Sequence, residues 1–155
     1  MITLVINGRA VTVDCAPEKP LLHAIRVGGA AGLAATPSGC LIGMCGACTV
    51  HLDGLPVRSC ELTLEQVQGR AITTFEGLMG TTLGRALGQA WTRHAVSPCG
   101  RCSPGQIMTA AALLARNPAP SDDEIDAALA DHVCDCDERG DLHVAILEAA
   151  RALAA

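Results

Sequence analysis

"GCLIGMCGACTVHLDGLPVRSC", residues 39–60, decides how this chain is read: four cysteines and four glycines fall within 22 positions. Cys40, Cys45, Cys48 and Cys60 stand at the spacing C-x4-C-x2-C-x11-C. Of the nine cysteines, setting Cys15 aside leaves a second group of four, Cys99-x2-Cys102-x31-Cys134-x1-Cys136. Each quartet lies in one half of the chain, as expected if each half carries its own centre.

The first spacing is that of plant-type [2Fe–2S] sites, in which four thiolates hold the cluster. Such a centre is anionic, and burying it requires backbone N–H donors aimed at the sulfurs, so the loop must wrap tightly. Gly39, Gly43 and Gly46 permit the positive φ and close approach that wrapping needs, and Ala47 is small. The eleven residues before Cys60 are a hairpin's length, which returns the fourth thiol beside the third. In the second quartet Cys99 and Cys102 precede a predicted helix N-terminus, whose free N–H groups and dipole favour a thiolate. Cys134 and Cys136 follow the next helix, which an antiparallel return brings back alongside.

Other chemistries compete. Two C-x2-C pairs with two further pairs also suit structural zinc, although the x4 gap and the glycine wrap count against it in the first quartet. The C-x-x-C of dithiol redox proteins occurs once per domain after a buried strand, whereas both pairs here are embedded in quartets. A secreted disulfide scaffold calls for a signal peptide. Cys15 reads as a small buried hydrophobe. His23, His51, His94, His132 and His143 fall at no metal-ligand spacing, and His132 reads as a solvent-facing or capping residue.

Composition bounds the rest. Half of the 155 residues are apolar, but there is one Phe, one Trp and no Tyr, so Ala, Val, Leu and Ile must build the core. Each half is small enough to gain from a metal staple. A formal charge of −5 with no basic stripe argues against nucleic acid or an anionic membrane as partner. "MITLVINGRA" shows no basic, apolar signal pattern. No apolar run approaches membrane-spanning length. The expectation is a soluble, cytoplasmic protein with no direct membrane insertion, or one exported with a partner that carries the signal.

Along the chain, "ITLVI" (2–6), the turn Asn7-Gly8 and "RAVTV" (9–13) predict a hairpin, and "CTVHL", Asp53-Gly54 and "LPVRSC" a second. "PLLHAIRV" (20–27) predicts a helix, residues 28–39 an irregular segment, and "RAITTF" (70–75) a last strand. "EGLMGTT" (76–82) reads as a linker. Beyond it the patterns predict four helices, over 83–94, 103–117, 121–133 and roughly 141–153. Ser103 is the expected N-cap of the second, with Pro104 at its first position and Gln106 completing a capping box. Ser121 and Glu124 repeat that box, and Asp141 opens the last helix. The fold class is α+β, with expected domains 1–76 and 77–155. No acid/base pair, phosphate loop or nucleophile stands out, so nothing here reads as a site for activating an organic substrate.

"VINGRAVTV", "PLLHAIR", the 39–60 stretch, "CGRCSPGQIMTAAALL", "NPAPSDDEIDAAL" and the closing C-x-C together resemble the small iron–sulfur subunit of the molybdenum hydroxylases, the xanthine dehydrogenase/aldehyde oxidoreductase family. The resemblance spans nearly the whole chain. It implies an N-terminal β-grasp, plant-ferredoxin-like domain and a C-terminal four-helix domain, each with a [2Fe–2S] cluster. It implies as ligands Cys40, Cys45, Cys48 and Cys60, then Cys99, Cys102, Cys134 and Cys136, with Cys136 also within contact of the pterin. It further implies molybdopterin, in a dinucleotide form, in a large partner subunit. By the same resemblance electrons are expected to leave it through both clusters to an FAD subunit, a cytochrome or another acceptor, making the chain a component of an oxidoreductase that is not catalytic alone. Four departures from the family pattern stand out. Pro98 replaces a Gln that can contact the pterin, and Arg101 replaces an aromatic. "CDCDERG" (134–140) replaces C-R-C-G, and "TPSGC" replaces Thr-Lys-x-Gly-Cys. Arg101 and Asp135 are expected to face each other near the second cluster. Otherwise Asp135, Asp137 and Glu138 should lower its potential.

Overall fold

The computed structural model describes residues 1–27, 33–134 and 139–155. Two strand pairs are set by their turns. β1 (Ile2–Ile6) returns as β2 (Arg9–Val13), and β3 (Thr49–Leu52) as β4 (Leu55–Arg58). Asn7-Gly8 and Asp53-Gly54 all take positive φ, between 51° and 83°, the primed-turn geometry that matches strand twist. β5 (Ala71–Thr73) joins the pairs, parallel to β1 and antiparallel to β3. The sheet order is β2-β1-β5-β3-β4.

The alternation of β1 sends Ile2, Leu4 and Ile6 inward. There they meet α1 (Leu21–Arg26), whose Leu21 and Ile25 are buried, together with Val50, Leu52, Leu64 and Ile72. Each such side chain contributes about 1.5–3 kcal/mol by leaving water. Cys15 packs half-buried against this core, in keeping with its apolar reading. One turn of helix, α2 (Leu64–Val67), escapes the sequence reading because four residues carry no period. Its start is tied by the Thr63 amide, which donates to the Gln66 side-chain oxygen at 2.9 Å.

The stretch read as a linker is ordered helix instead. α3 (Phe75–Met79) and the start of α4 (Thr82–Arg93) occupy most of it. Phe75 and Leu78 anchor α3 to a second core, and tertiary burial of that kind overrides the weak local signal of two glycines and two threonines. Gly84 lets α4 cross α3, since a Cβ there would stand 2.0 Å from the Leu78 carbonyl oxygen.

α5 (Ser103–Arg116) is the central helix, buried without interruption from Gly105 to Leu114. α6 (Asp122–Leu129) starts at the expected Ser121 cap. The Ser121 amide donates to the Glu124 carboxylate at 2.8 Å, and the Glu124 amide to the Ser121 hydroxyl. α7 (Arg139–Ala154) begins two residues before the expected Asp141 and packs on α4. The Ser103 expectation fails. Cys102 occupies the N-cap position of α5 with no side-chain cap bond, and the Ser103 hydroxyl donates to the carbonyls of Val96 and Ser97. Gln106, instead of closing a box, accepts from the Ser97 hydroxyl at 2.8 Å. Both side chains are drawn away by the 96–97 backbone turn. No helix among the described residues is long and apolar enough to cross a membrane.

β3 is buried along its whole length. Val50 and Leu52 point into the first core. His51, on the opposite face, is covered by α5, and its Nε2 lies 2.6 Å from the Met108 carbonyl oxygen. A carbonyl only accepts, so Nε2 donates.

Candidate metal centres

The loop from Gly39 to Cys48 curls so that its amides converge on its own sulfurs. Cys40 Sγ accepts from the amides of Met44 at 3.2 Å and Cys45 at 3.3 Å. Cys45 Sγ accepts from Cys40 at 3.4 Å and Ala47 at 3.5 Å. N–H donation by Ile42, then by Cys45, lowers the Cys40 thiol to about 7. Cys60 is pushed the other way, to about 11, by burial first and then by the adjoining Cys48 thiol. Cys40 thus neighbours Cys45, and Cys60 neighbours Cys48 and feels Cys40 as well. Cys48 is buried and Cys40 exposed. A Cβ at Gly39 would stand 2.4 Å from Cys45 Sγ, so close backbone approach is what that glycine provides.

In the second group the sulfurs of Cys99, Cys102 and Cys134 all lie within 4.8 Å of one another. Burial, and next the neighbouring Cys134 thiol, raise the Cys102 thiol well above its ordinary value. Cys134 Sγ lies 3.5 Å from the Ser97 hydroxyl, where a buried Ser97 holds φ at +45°. Cys136 lies outside the described residues, as do Asp135, Asp137 and Glu138 and with them the expected Arg101–Asp135 pair. Closely gathered thiols, with backbone N–H donors on Cys40 and Cys45 in the first loop and three sulfurs together in the second group, form a donor set that fits a compact iron–sulfur centre.

The two groups are neighbours. The Val133 amide donates to the Cys45 carbonyl at 3.0 Å, and Val133 directly precedes Cys134. His132 is 4% exposed, contrary to the expectation of a solvent-facing or capping residue. Its Nε2 meets the Thr109 hydroxyl at 2.8 Å, and its ring lies on Gly46. Gly105 of α5 also approaches Gly46. A Cβ on Gly105 would stand 2.2 Å from the Gly46 carbonyl oxygen. Gly46, Gly105, Thr109, His51 and His132 therefore form the seam between the two cores. Spacing rules for metal ligands pass over all five, because none of them stands at a ligand spacing. The lone signal was the nearness of His132 to Cys134.

Two families of cluster-binding domains account for this arrangement. Residues 4–74 match the 2Fe-2S iron-sulfur cluster binding domain and residues 74–149 the [2Fe-2S] binding domain. The chain is 41% identical over 152 residues to the alpha subunit of isoquinoline 1-oxidoreductase from Brevundimonas diminuta, covering 97% of this chain and 98% of that one. It is 37% identical over 145 residues to the small FeS subunit of nicotinate dehydrogenase from Eubacterium barkeri, covering 94% and 91%. A chain of the crystal structure of quinoline 2-oxidoreductase from Pseudomonas putida 86 matches with a TM-score of 0.88 at 37% identity, over 97% of this chain and 93% of that chain. Aldehyde oxidoreductase from Desulfovibrio desulfuricans also reaches 0.88 at 34% identity. It takes in 99% of this chain as 17% of a longer one. Fold and sulfur groups together define an iron–sulfur protein. The chain belongs to the small [2Fe–2S] subunits of the molybdenum hydroxylases, and is thus an electron-transfer component of an oxidoreductase.

Proposed function

We propose that the chain holds two [2Fe–2S] clusters and relays electrons from the molybdopterin of a large partner subunit to a flavin subunit or a cytochrome. Cys40, Cys45, Cys48 and Cys60 would hold the first cluster, and Cys99, Cys102, Cys134 and Cys136 the second. For Cys136, as ligand and as contact to a pterin dinucleotide, the support is the resemblance alone. The clusters, when bound, supply one-electron redox chemistry. The chain's own part is to hold the sulfurs, screen their charge with amides and keep the two sites close. The observation that carries the reading is the hydrogen bond from Val133 to Cys45. It sets a ligand of one quartet one residue away from a ligand of the other, the proximity a relay needs.

The division at 76/77 is likewise proposed, supported by the two separate cores. The exposed Cys99 lies beside an open apolar groove of about 970 Å³ that reaches from Pro98 and Gly100 to Trp91. The buried indole N–H of Trp91 has no acceptor among the described residues. The exposed Cys99 and the groove beside it support the large subunit's approaching from this side.

Anaerobic preparation of the chain tests the reading. About two irons and two sulfides per quartet, a brown colour, and two rhombic paramagnetic resonance signals after dithionite are expected. A colourless protein with stoichiometric zinc would overturn it.

A further inference from the structure

We propose that His132 is a positioning residue for the first quartet's centre, acting across the domain seam on Gly46, although in sequence it belongs to the second quartet. The inference rests on the two-cluster reading and adds to it how one domain sets the other's redox property.

His132 stands two residues before Cys134, yet its ring lies against the turn between Cys45 and Cys48. A Cβ on Gly46 would stand 2.5 Å from His132 Nδ1, 2.7 Å from Cε1 and 2.9 Å from Cγ. The ring is tethered at its far end by Thr109 of α5 at 2.8 Å. Its own amide is tied to the Leu129 carbonyl at 3.0 Å, so it cannot easily swing away. The next residue, Val133, donates to the Cys45 carbonyl. Residues 132 and 133 thus grip both ends of the Cys45–Gly46 peptide unit. On the opposite side the Gly46 carbonyl is held by the Thr49 amide at 3.2 Å and hydroxyl at 2.6 Å, with Gly105 packed against it.

The amide that follows, Ala47 N–H, donates to Cys45 Sγ at 3.5 Å. Its direction depends on the plane of the 46–47 peptide. Gly46 sits at φ +81° with no side chain; Thr49 holds its carbonyl and the imidazole presses on its Cα, so the two together fix that plane. An N–H donor to a ligating sulfur disperses negative charge and raises the cluster potential. Removing the ring takes away one of these two restraints, so the peptide tilts about the remaining Thr49 bonds and the donor weakens, and the first centre's potential falls.

The test is potentiometry followed by paramagnetic resonance on the full chain with its clusters in place. The two signals are assigned to their quartets through Cys40→Ser and Cys99→Ser, each of which alters its own signal. His132→Ala is expected to lower the potential of the first quartet's centre more than that of the second. Thr109→Val, which unties the ring, should move it the same way by less. The double variant Thr109→Val/His132→Phe keeps an aromatic wedge on Gly46 without the polar pair. It should restore the wild-type potential, and it offers a foldable apolar seam if His132→Ala does not accumulate. The proposal is overturned if only the second centre shifts, if neither shifts, or if the double variant leaves the first centre displaced. A chain that binds no iron would instead refute the two-cluster reading itself, so the two failures are distinct.

Discussion

Gly46 carries two constraints at once. Its left-handed backbone alone makes Ala costly, at about 1–3 kcal/mol, and the His132 ring fills the space the new methyl would take. Gly46→Ala is therefore expected to lower the urea midpoint by at least the cost of the backbone term, whereas Ala at open Gly69, which shares a positive φ, should cost less. His51 supplies a pH dependence. Burial holds its imidazole below the ordinary value, partly offset by the Met108 carbonyl. The folded state thus favours neutral His51. Its contribution is present above the unfolded histidine value of about 6.5 and is lost progressively as pH falls below that. Denaturation midpoints should decline through this range in wild type, and His51→Gln, which can still donate to Met108, should flatten the decline. Thiol chemistry separates too. In metal-free chain Cys40, lowered to about 7, should alkylate with a half-point near neutrality, while Cys60, raised to about 11, stays slow. Equal rates by peptide mapping would contradict the amide account of the loop.

Elements differ in how much of them local sequence dictates. Both hairpins follow from Asn-Gly and Asp-Gly, and α6 from Ser121 and Glu124, because a turn or a cap is satisfied by atoms only a few residues away. Ser121→Ala should cost about 1 kcal/mol, read as a lower thermal midpoint. α5 shows the opposite case. Ser103, Pro104 and Gln106 carry every local start signal, yet the 96–97 turn claims Ser103 and Gln106, and Cys102 stands at the N-cap position with no side-chain cap bond. α3 was hidden for the same reason, since only the second core makes helix of Phe75–Met79. Gly105 is a seam residue within a helix. Gly105→Ala would gain helix propensity, but its methyl meets backbone at Gly46, which cannot yield as a side chain would. A net loss of stability is expected, with the two halves unfolding in separate calorimetric transitions instead of one.

At the scale of the whole molecule, two small cores share one buried seam, and each is poor in large side chains. Removal of iron should therefore lower the melting temperature of both halves, with cluster reconstitution restoring it. The two cysteine spacings, the hairpin turns and the α+β division were all legible in the chain, because each is written in residues close together or in a count. The seam was not. His132 and Gly46 lie far apart in sequence, and nothing in either neighbourhood announces the other; only the docking of α5 across β3 brings them into contact. Sequence by itself determined which thiols could gather and what class of centre suits them, since spacing and loop glycines are local properties. Tertiary structure alone decided that the two groups abut through Val133 and Cys45 and that two histidines are buried between the two cores, because long-range packing chooses which face of a strand or helix meets another.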